Sequence, residues 1–281
     1  MGRQQQQPAR LQQEYEVAGV IGEGGFGLVR AATHKRTKTP VAVKTMTKDQ
    51  TSHEKFWQEV AILKQLGGQH NVLELRDAFE TSDSYVLVTE LVEGGELFDH
   101  LMTTGVFAES KAKQLVQQVC HALSYMHSRN VVHADIKPEN ILIADDAADQ
   151  MQIRLIDFGV AYREHDILER LRSVHDGLGT VAYAAPEFIT MQESGCAVDM
   201  WALGVVLYVI LAGRHPFDVT NDATDAQLKE RILAGQFDMD ALNECGVSDE
   251  ARDLIHRLLV VDPAERLTAV EALNHAWLAD C

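Results

Sequence analysis

The uninterrupted apolar run from Met200 to Gly213 is the strongest constraint on how this chain can fold. A helix with no polar face must be enclosed, either in a bilayer or in the middle of a large core. Crossing a bilayer takes ~20 apolar residues, and this run is far shorter. It therefore predicts a buried core helix. Asp199, at its entrance, would be buried with it, and a buried carboxylate needs hydrogen-bond partners. At 281 residues and 46% hydrophobic content the chain can bury such a core, as one large domain or two closely packed lobes.

Cys120, Cys196, Cys245 and Cys281 are far apart and form no Cys-x-x-Cys pair, so neither a zinc site nor a disulfide framework is expected. Cys120 and Cys196, in apolar-rich stretches, read as small packed hydrophobes. The opening Met-Gly-Arg and four glutamines lack the apolar segment of a secretory signal, and Gln6 stands where a myristoylation motif wants Ser or Thr. Residues 1–14 are expected to be a disordered leader, and the location to be the cytoplasm, with the nucleus second. The formal net charge is −17. Residues 1–90 hold 11 basic and 11 acidic side chains, leaving 14 of the 25 basic and 31 of the 42 acidic ones after residue 90. That half should repel nucleic acid and attract basic partners.

Strand patterns cover Tyr15 to Ile21, Leu28 to Ala32, Val41 to Lys44, Val72 to Phe79 and Tyr85 to Glu90, which predicts a small antiparallel sheet. Between the first two lies Gly22-Glu23-Gly24-Gly25-Phe26-Gly27. Dinucleotide-binding folds share this spacing, but they need a helix straight after the glycines; here a strand follows, so a hairpin is predicted. Ser52 to Leu66 carries apolar residues at 56, 60 and 63, a helical stripe with Glu59 on an adjacent face. Ala108 to Arg129 is a longer helix, apolar at 112, 115, 116, 119, 122, 123 and 126. Ile141 to Ile143 and Ile153 to Ile156 are strand-like about an acidic turn, Ala144 to Gln150, and helical stretches follow near 223–235, 248–260 and 268–278. The class is α+β.

The chemistry gathers in His133-Ala134-Asp135-Ile136-Lys137-Pro138-Glu139-Asn140 and Asp157-Phe158-Gly159. The first segment places a carboxylate, an ammonium and an amide within six residues, with a proline that turns the chain. Magnesium takes hard oxygen ligands, usually one or two from protein with the rest from phosphates and water, and Asn140 and Asp157 could supply them.

These motifs resemble the catalytic loop and metal-binding motif of the eukaryotic protein kinases, with His-Ala-Asp in place of the usual His-Arg-Asp, and the likeness runs from about residue 15 to 278. The resemblance implies a bilobal fold: an N-lobe over about 15–90, a hinge over about 90–95, and a mostly helical C-lobe over about 96–278. It implies ATP and Mg2+ as cofactors. Gly22, Gly24 and Gly27 would let backbone amides reach the phosphates, with Lys44 gripping them and paired to Glu59. Ile21, Val29, Ala42 and Leu142 would border the adenine, and the hinge residues Glu90, Leu91 and Val92 would bond it through backbone. Thr89 stands at the gatekeeper position. Glu96 would meet the ribose or a basic substrate residue. Asp135 would take the substrate hydroxyl's proton, Lys137 would stabilise the transferring phosphoryl group, and Asn140 with Asp157 would hold the metal. Asp199 would tether the catalytic loop, Arg266 would pair with Glu187, and His133 and Phe158 would be core.

Asp157 to Glu187 reads as an activation segment, closing in Gly179-Thr180 and Ala185-Pro186-Glu187. Lys137 with Thr180 is similar to serine/threonine kinases. Asp176 stands where many relatives carry a phosphorylated threonine, and the arginine that would pair with that phosphate is Ala134, so activity without loop phosphorylation is expected. Gly94 to Phe98, the Asp176 region and Asn274 to Leu278 are closest in look to the calcium/calmodulin-dependent and calcium-dependent kinases. Asp238-x-Asp240 is no calcium loop, because Asn243 stands where the loop needs glycine. Calcium control would need a segment or sensing partner outside this chain. Glu96 and Glu139 suggest protein substrates with basic residues upstream of Ser or Thr, although Val209 replaces a further glutamate of some relatives. The rival readings are a pseudokinase scaffold and a small-molecule phosphotransferase.

Overall fold

The computed structural model describes residues 9–24, 27–145, 151–166, 169, 181–192, 195–218 and 220–279. The chain divides into two compact units, residues 1–69 with 73–92, and residues 70–72 with 93–281.

The first unit is built on an antiparallel sheet of order β1-β2-β3-β5-β4, with β1 Tyr15–Gly24, β2 Gly27–His34, β3 Pro40–Thr47, β4 Leu75–Glu80 and β5 Ser84–Glu90. Val41 and Val43 enter a buried cluster with Ala32, Phe79, Val86 and Val88 on one face. The strand's period of two therefore sends Ala42 and Lys44 to the other face. Helix α2, His53–Leu66, begins at Ser52, whose hydroxyl accepts the Lys55 N–H at 3.2 Å, and ends at Gly67 with φ 64°. It buries the predicted stripe Phe56, Val60 and Leu63, and Phe56 stacks on Tyr85 with ring centres 4.6 Å apart.

Two expectations for this unit are corrected. The leader is not disordered up to residue 14: Ala9–Glu14 is a helix, α1, that sets Leu11 into the sheet's buried cluster. Arg10 holds it there, 2.7 Å from Asp77 and with its guanidinium 4.2 Å from the Phe79 ring centre. One buried leucine and one ion pair leave little trace in a glutamine-rich stretch. The strand expected from Val72 starts at Leu75, because Val72 is drawn to the second unit, where it forms an isolated bridge with Leu155.

The second unit is mostly helical. Helices α3 (Leu97–Thr104) and α4 (Glu109–His127) precede three short strand pieces, β6 (Val131–Val132), β7 (Ile141–Asp145) and β8 (Gln152–Leu155), and then β9 (Tyr162–Arg163). After them come α5 (Pro186–Ile189), α6 (Ala197–Ala212), α7 (Asp225–Ala234), α8 (Asp240–Glu244), α9 (Asp249–Leu258), α10 (Ala269–Leu273) and α11 (Ala276–Ala279). The apolar run is α6, buried along its length except at Ala197 and Val209 and stopped by Gly213 in the left-handed conformation. Among the described residues no helix is long and apolar enough to cross a membrane. Gly204 lets α9 approach closely: a Cβ there would lie 2.8 Å from Leu258 Cβ. All seven predicted apolar positions of α4 are inaccessible, and so is Cys120, whose thiol burial pushes up to about 12. Cys196 is only half-buried. The predicted 268–278 stretch is two helices, because His275 turns inward to Asp253, 2.8 Å away, and accepts the Trp277 N–H.

Candidate active site

In the first unit, Lys44 lies on β3 opposite Val29 of β2 and Leu87 of β5, while Ala42 lies opposite Ala31 and Thr89. Register thus gathers Val29, Ala42, Lys44 and Thr89 on the sheet face away from the buried valines. Helix α2 brings Glu59 to that face, with its Oε1 3.6 Å from Lys44 Nζ and only 5% of its side chain exposed. The separation is that of an ion pair rather than a hydrogen bond. Thr89 donates its hydroxyl to Glu90 O at 3.1 Å. The Glu90 carboxylate accepts the Glu74 N–H at 2.9 Å and so fastens the start of β4 to the end of β5. Leu91 and Val92 follow, half-buried.

The glycine-rich turn is a hairpin, with Gly24 opposite Gly27 and Gly22 opposite Val29; Gly25 and Phe26 lie outside the described residues. The structure gives Gly27 its own reason to be glycine. Its φ is 140° and a Cβ would sit on the Thr45 carbonyl. Gly22 has no such crowding, with only Val29 Cβ nearby at 3.8 Å. Ile21 is 52% exposed, and Val29 and Ala42 are half-buried.

In the second unit, Asp199 organises the loop that follows β6. It is inaccessible to solvent, and it accepts the Ala134 N–H on Oδ1 at 2.8 Å and the His133 N–H on Oδ2 at 3.0 Å. His127, the last residue of α4, reaches the same Oδ2 at 2.9 Å. The tether was legible in sequence; the His127 contact was not, because two residues 72 apart meet only through packing. His133 is buried, donates from Nε2 to Ile156 O at 3.0 Å, accepts the Asp135 N–H on Nδ1, and lies against Phe158 with ring centres 4.8 Å apart. Both rings are core, as expected.

The loop converges on Asp135. Lys137 Nζ and Asn140 Nδ2 each donate to its Oδ2 at 2.7 Å, and Asn140 Nδ2 also bonds the Asp135 carbonyl at 2.8 Å. Oδ1 takes no hydrogen bond among the described residues. Among the described residues, one carboxylate oxygen is therefore held while the other is available as an acceptor. Ala134, just before it, has φ 64°, a left-handed conformation costly for a residue with a Cβ.

Asn140 ends the turn Pro138–Asn140, and β7 starts at the next residue. Since Ile141 pairs with Leu155 and Asn140 O accepts the Ile156 N–H at 3.0 Å, Asn140 and Asp157 sit at the same end of the β7–β8 hairpin. Asn140 has spent its amide nitrogen on Asp135, which leaves its side-chain oxygen. Asp157, at φ 60°, adds a carboxylate that accepts the Gly159 N–H at 3.3 Å. Two hard oxygen donors from the protein, with the remaining positions left to phosphates and water, fit the way magnesium is usually held.

Leu142 is half-buried on β7 and bridges Glu96. Gly94 permits this approach, since a Cβ there would fall on the Ile143 carbonyl. Burial raises the Glu96 pKa, with Asp99 and Glu139 adding like charge and Lys137 opposing. Asp99 is a member of this acidic group that sequence reading missed. Downstream, Arg266 spends all five N–H donors: two on Glu187 at 2.6 and 3.0 Å, and one each on the carbonyls of Ala197, Val260 and Val261. Ser173, Asp176, Gly179 and Thr180 lie outside the described residues.

A model of the protein kinase domain matches residues 15–278. The chain is 36% identical over 275 residues to a probable myosin light chain kinase of Dictyostelium discoideum, covering 97% of this chain and 68% of that protein. It is 37% identical over 283 residues to serine/threonine-protein kinase SIK1 of Mus musculus, covering 99% of this chain and 34% of that protein. Its fold is similar to the Rad53 kinase domain solved with SCD2 and AMPPNP, at a TM-score of 0.76 and 31% identity, covering 95% of this chain and 91% of that one. The chain thus spans about a third of the length of SIK1 and two thirds of the Dictyostelium protein. A family match over nearly the whole length, relatives of one activity and a shared fold lead to one identity: this chain belongs to the protein kinase family, as a serine/threonine kinase working with ATP and Mg2+.

Proposed function

We propose that this kinase prefers serine or threonine sites preceded by a basic residue. The observation that carries this is Glu139 Oε2, which is removed from solvent and takes no hydrogen bond among the described residues. A buried carboxylate oxygen is costly without a donor. Glu96 and Asp99 add negative charge to the same group, so the site suits a guanidinium. Val209 contributes no third acid. A peptide panel tests it: arginine in place of alanine upstream of the target should raise kcat/KM about 10- to 100-fold, as one charge-assisted pair would. Indifference to upstream arginine would sink the preference.

In the same reading, Lys44, steadied by Glu59, and the backbone at Gly22, Gly24 and Gly27 hold the nucleotide's phosphates. Ile21, Val29, Ala42 and Leu142 border the adenine, the backbone of Glu90 and Val92 bonds it, and Glu96 is within reach of the ribose. Asp135 Oδ1 accepts the proton of the substrate hydroxyl as its oxygen bonds the γ-phosphorus and the bond to the β-phosphate oxygen breaks. Lys137 offsets charge on the transferring group. Asn140 and Asp157 would hold the magnesium, which when bound offsets charge on the phosphates. The pseudokinase reading is not favoured, since Lys44, Asp135 and Asp157 are all present. We also propose activity without activation-segment phosphorylation, supported by Ala134, which offers no guanidinium to a phosphate. Protein shown unphosphorylated by mass spectrometry should be active; activity gained only on modification at Ser173 or Thr180 would refute this. Calcium-linked control, in this reading, acts through a segment or partner outside the chain.

A further inference from the structure

After α6 the chain turns at Gly213 and runs through Arg214-His215-Pro216-Phe217. His215 is wired on both nitrogens: Nε2 lies 3.0 Å from Ala182 O, and Nδ1 lies 3.3 Å from the Phe217 N–H. Only the neutral ring with its hydrogen on Nε2 serves both contacts. Burial supports that state by lowering the pKa, with the Ala182 hydrogen bond and Asp218 opposing. The Tyr183 ring stands edge-on to the imidazole at 5.9 Å. Ala182 belongs to the turn Val181–Tyr183, and the residues that follow, Tyr183, Ala184 and Ala185, line one small cavity with Ala134 and Asp135. This turn is therefore a wall beside the carboxylate that receives the substrate hydroxyl. A peptide presenting that hydroxyl must lie along it.

We propose that His215 is a positioning residue for the peptide substrate, fixing through Ala182 the wall formed by Tyr183, Ala184 and Ala185 beside Asp135. Its contribution is made through the backbone of that wall, so it should govern how residues flanking the target are read and leave nucleotide binding alone. A histidine that merely closed the end of α6 would affect stability and nothing else. The inference rests on the assignment of Asp135 as proton acceptor and is independent of the preference for upstream arginine.

The test is steady-state kinetics of His215→Leu, His215→Gln and His215→Asn, on peptides varied on both sides of the target and, separately, at the upstream arginine. His215→Leu should raise peptide KM about 3- to 10-fold, the loss of one hydrogen bond, with the KM for ATP within about twofold of wild type. Gln keeps a donor and an acceptor at matching reach and should restore most of the loss. Asn is too short and should not. Discrimination between flanking residues should loosen while any arginine preference is unchanged. A folded His215→Leu protein with wild-type peptide KM, or one whose ATP KM rises equally, overturns the proposal. If His215→Leu does not fold, Gln and Asn decide it, and equal peptide KM values for the two would overturn it. Wild-type indifference to upstream arginine with the His215 effects intact would defeat the arginine reading alone.

Discussion

Replacing Asp199 by asparagine changes one oxygen to an NH2 group without altering shape, and the three contacts to that carboxylate allow the cost to be worked out. With NH2 in the place of Oδ1, it faces the Ala134 N–H, and that donor is left without an acceptor. With NH2 in the place of Oδ2, it faces the His133 N–H and His127; His127 can turn its lone pair to accept, but the His133 N–H cannot. Either way at least one buried backbone donor is orphaned, at about 1–3 kcal/mol. The surviving bonds change from charged to neutral, costing about 1 kcal/mol each. Relief from burying a charge offsets part of this. A net loss of about 2–4 kcal/mol in urea unfolding is expected. Because the disturbed amides immediately precede Asp135, kcat should fall about 10- to 100-fold with peptide KM nearly constant, as expected when a reacting group is displaced by a fraction of an ångström to 1 Å. His127→Ala removes one donor and should lose less than Asp199→Asn in both measures. A folded Asp199→Asn enzyme with wild-type kcat, or one that loses under about 1 kcal/mol, would show that the tether does not position Asp135.

Arg266→Lys retains the charge but has three donors for five acceptors, so it should lose about 3–5 kcal/mol by denaturant unfolding; a loss under about 1 kcal/mol would mean the five contacts are not needed. Gly204→Ala gains about 1 kcal/mol of helix propensity but drives a methyl against Leu258 and Leu259, an overpacking cost of about 1–3 kcal/mol. A higher melting temperature for that variant would contradict the close approach of α6 and α9. Burial tends to raise the Glu109 pKa, but hydrogen bonds from Ser248 and Trp277 outweigh it, and the folded value lies below the ordinary glutamate value of 4.5. Glu109 therefore contributes stability that is present above about pH 4.5 and lost as pH falls through its folded pKa. Glu109→Gln should be about 1–2 kcal/mol less stable at neutral pH, with the gap closing in acid; a gap independent of pH would exclude this linkage.

Short-range patterns were legible wherever one local signal dominated. The helical stripe of α4, the β-branched bias of β3 and the unbroken apolar run of α6 each predicted their element, since each signal lies within a few adjacent turns or residues. Sequence was less informative where a single contact decides. Leu11 and Arg10 order the leader through Phe79 and Asp77, and one leucine among glutamines makes no periodic signal. The turn before β4 depends on positive φ at His70 and Asn71, residues that reading by glycine and proline passes over.

The site shows the same division. Residue types and short spacings were enough to assemble Asp135, Lys137 and Asn140, because they lie in one loop and reach one another within five residues. Their order in the chain, with Asp157, Glu187 and Arg266 following, also named the family. Only the tertiary structure decided which groups share a buried oxygen: His127 joins Asp199, five acceptors enclose Arg266, Asp99 adds its charge to Glu96, and His215 holds Ala182. Several of those contacts, His127 with Asp199, Arg266 with Glu187 and His215 with Ala182, join residues far apart in the chain, and all of them depend on burial or hydrogen-bond direction, neither of which a linear pattern of residue types contains.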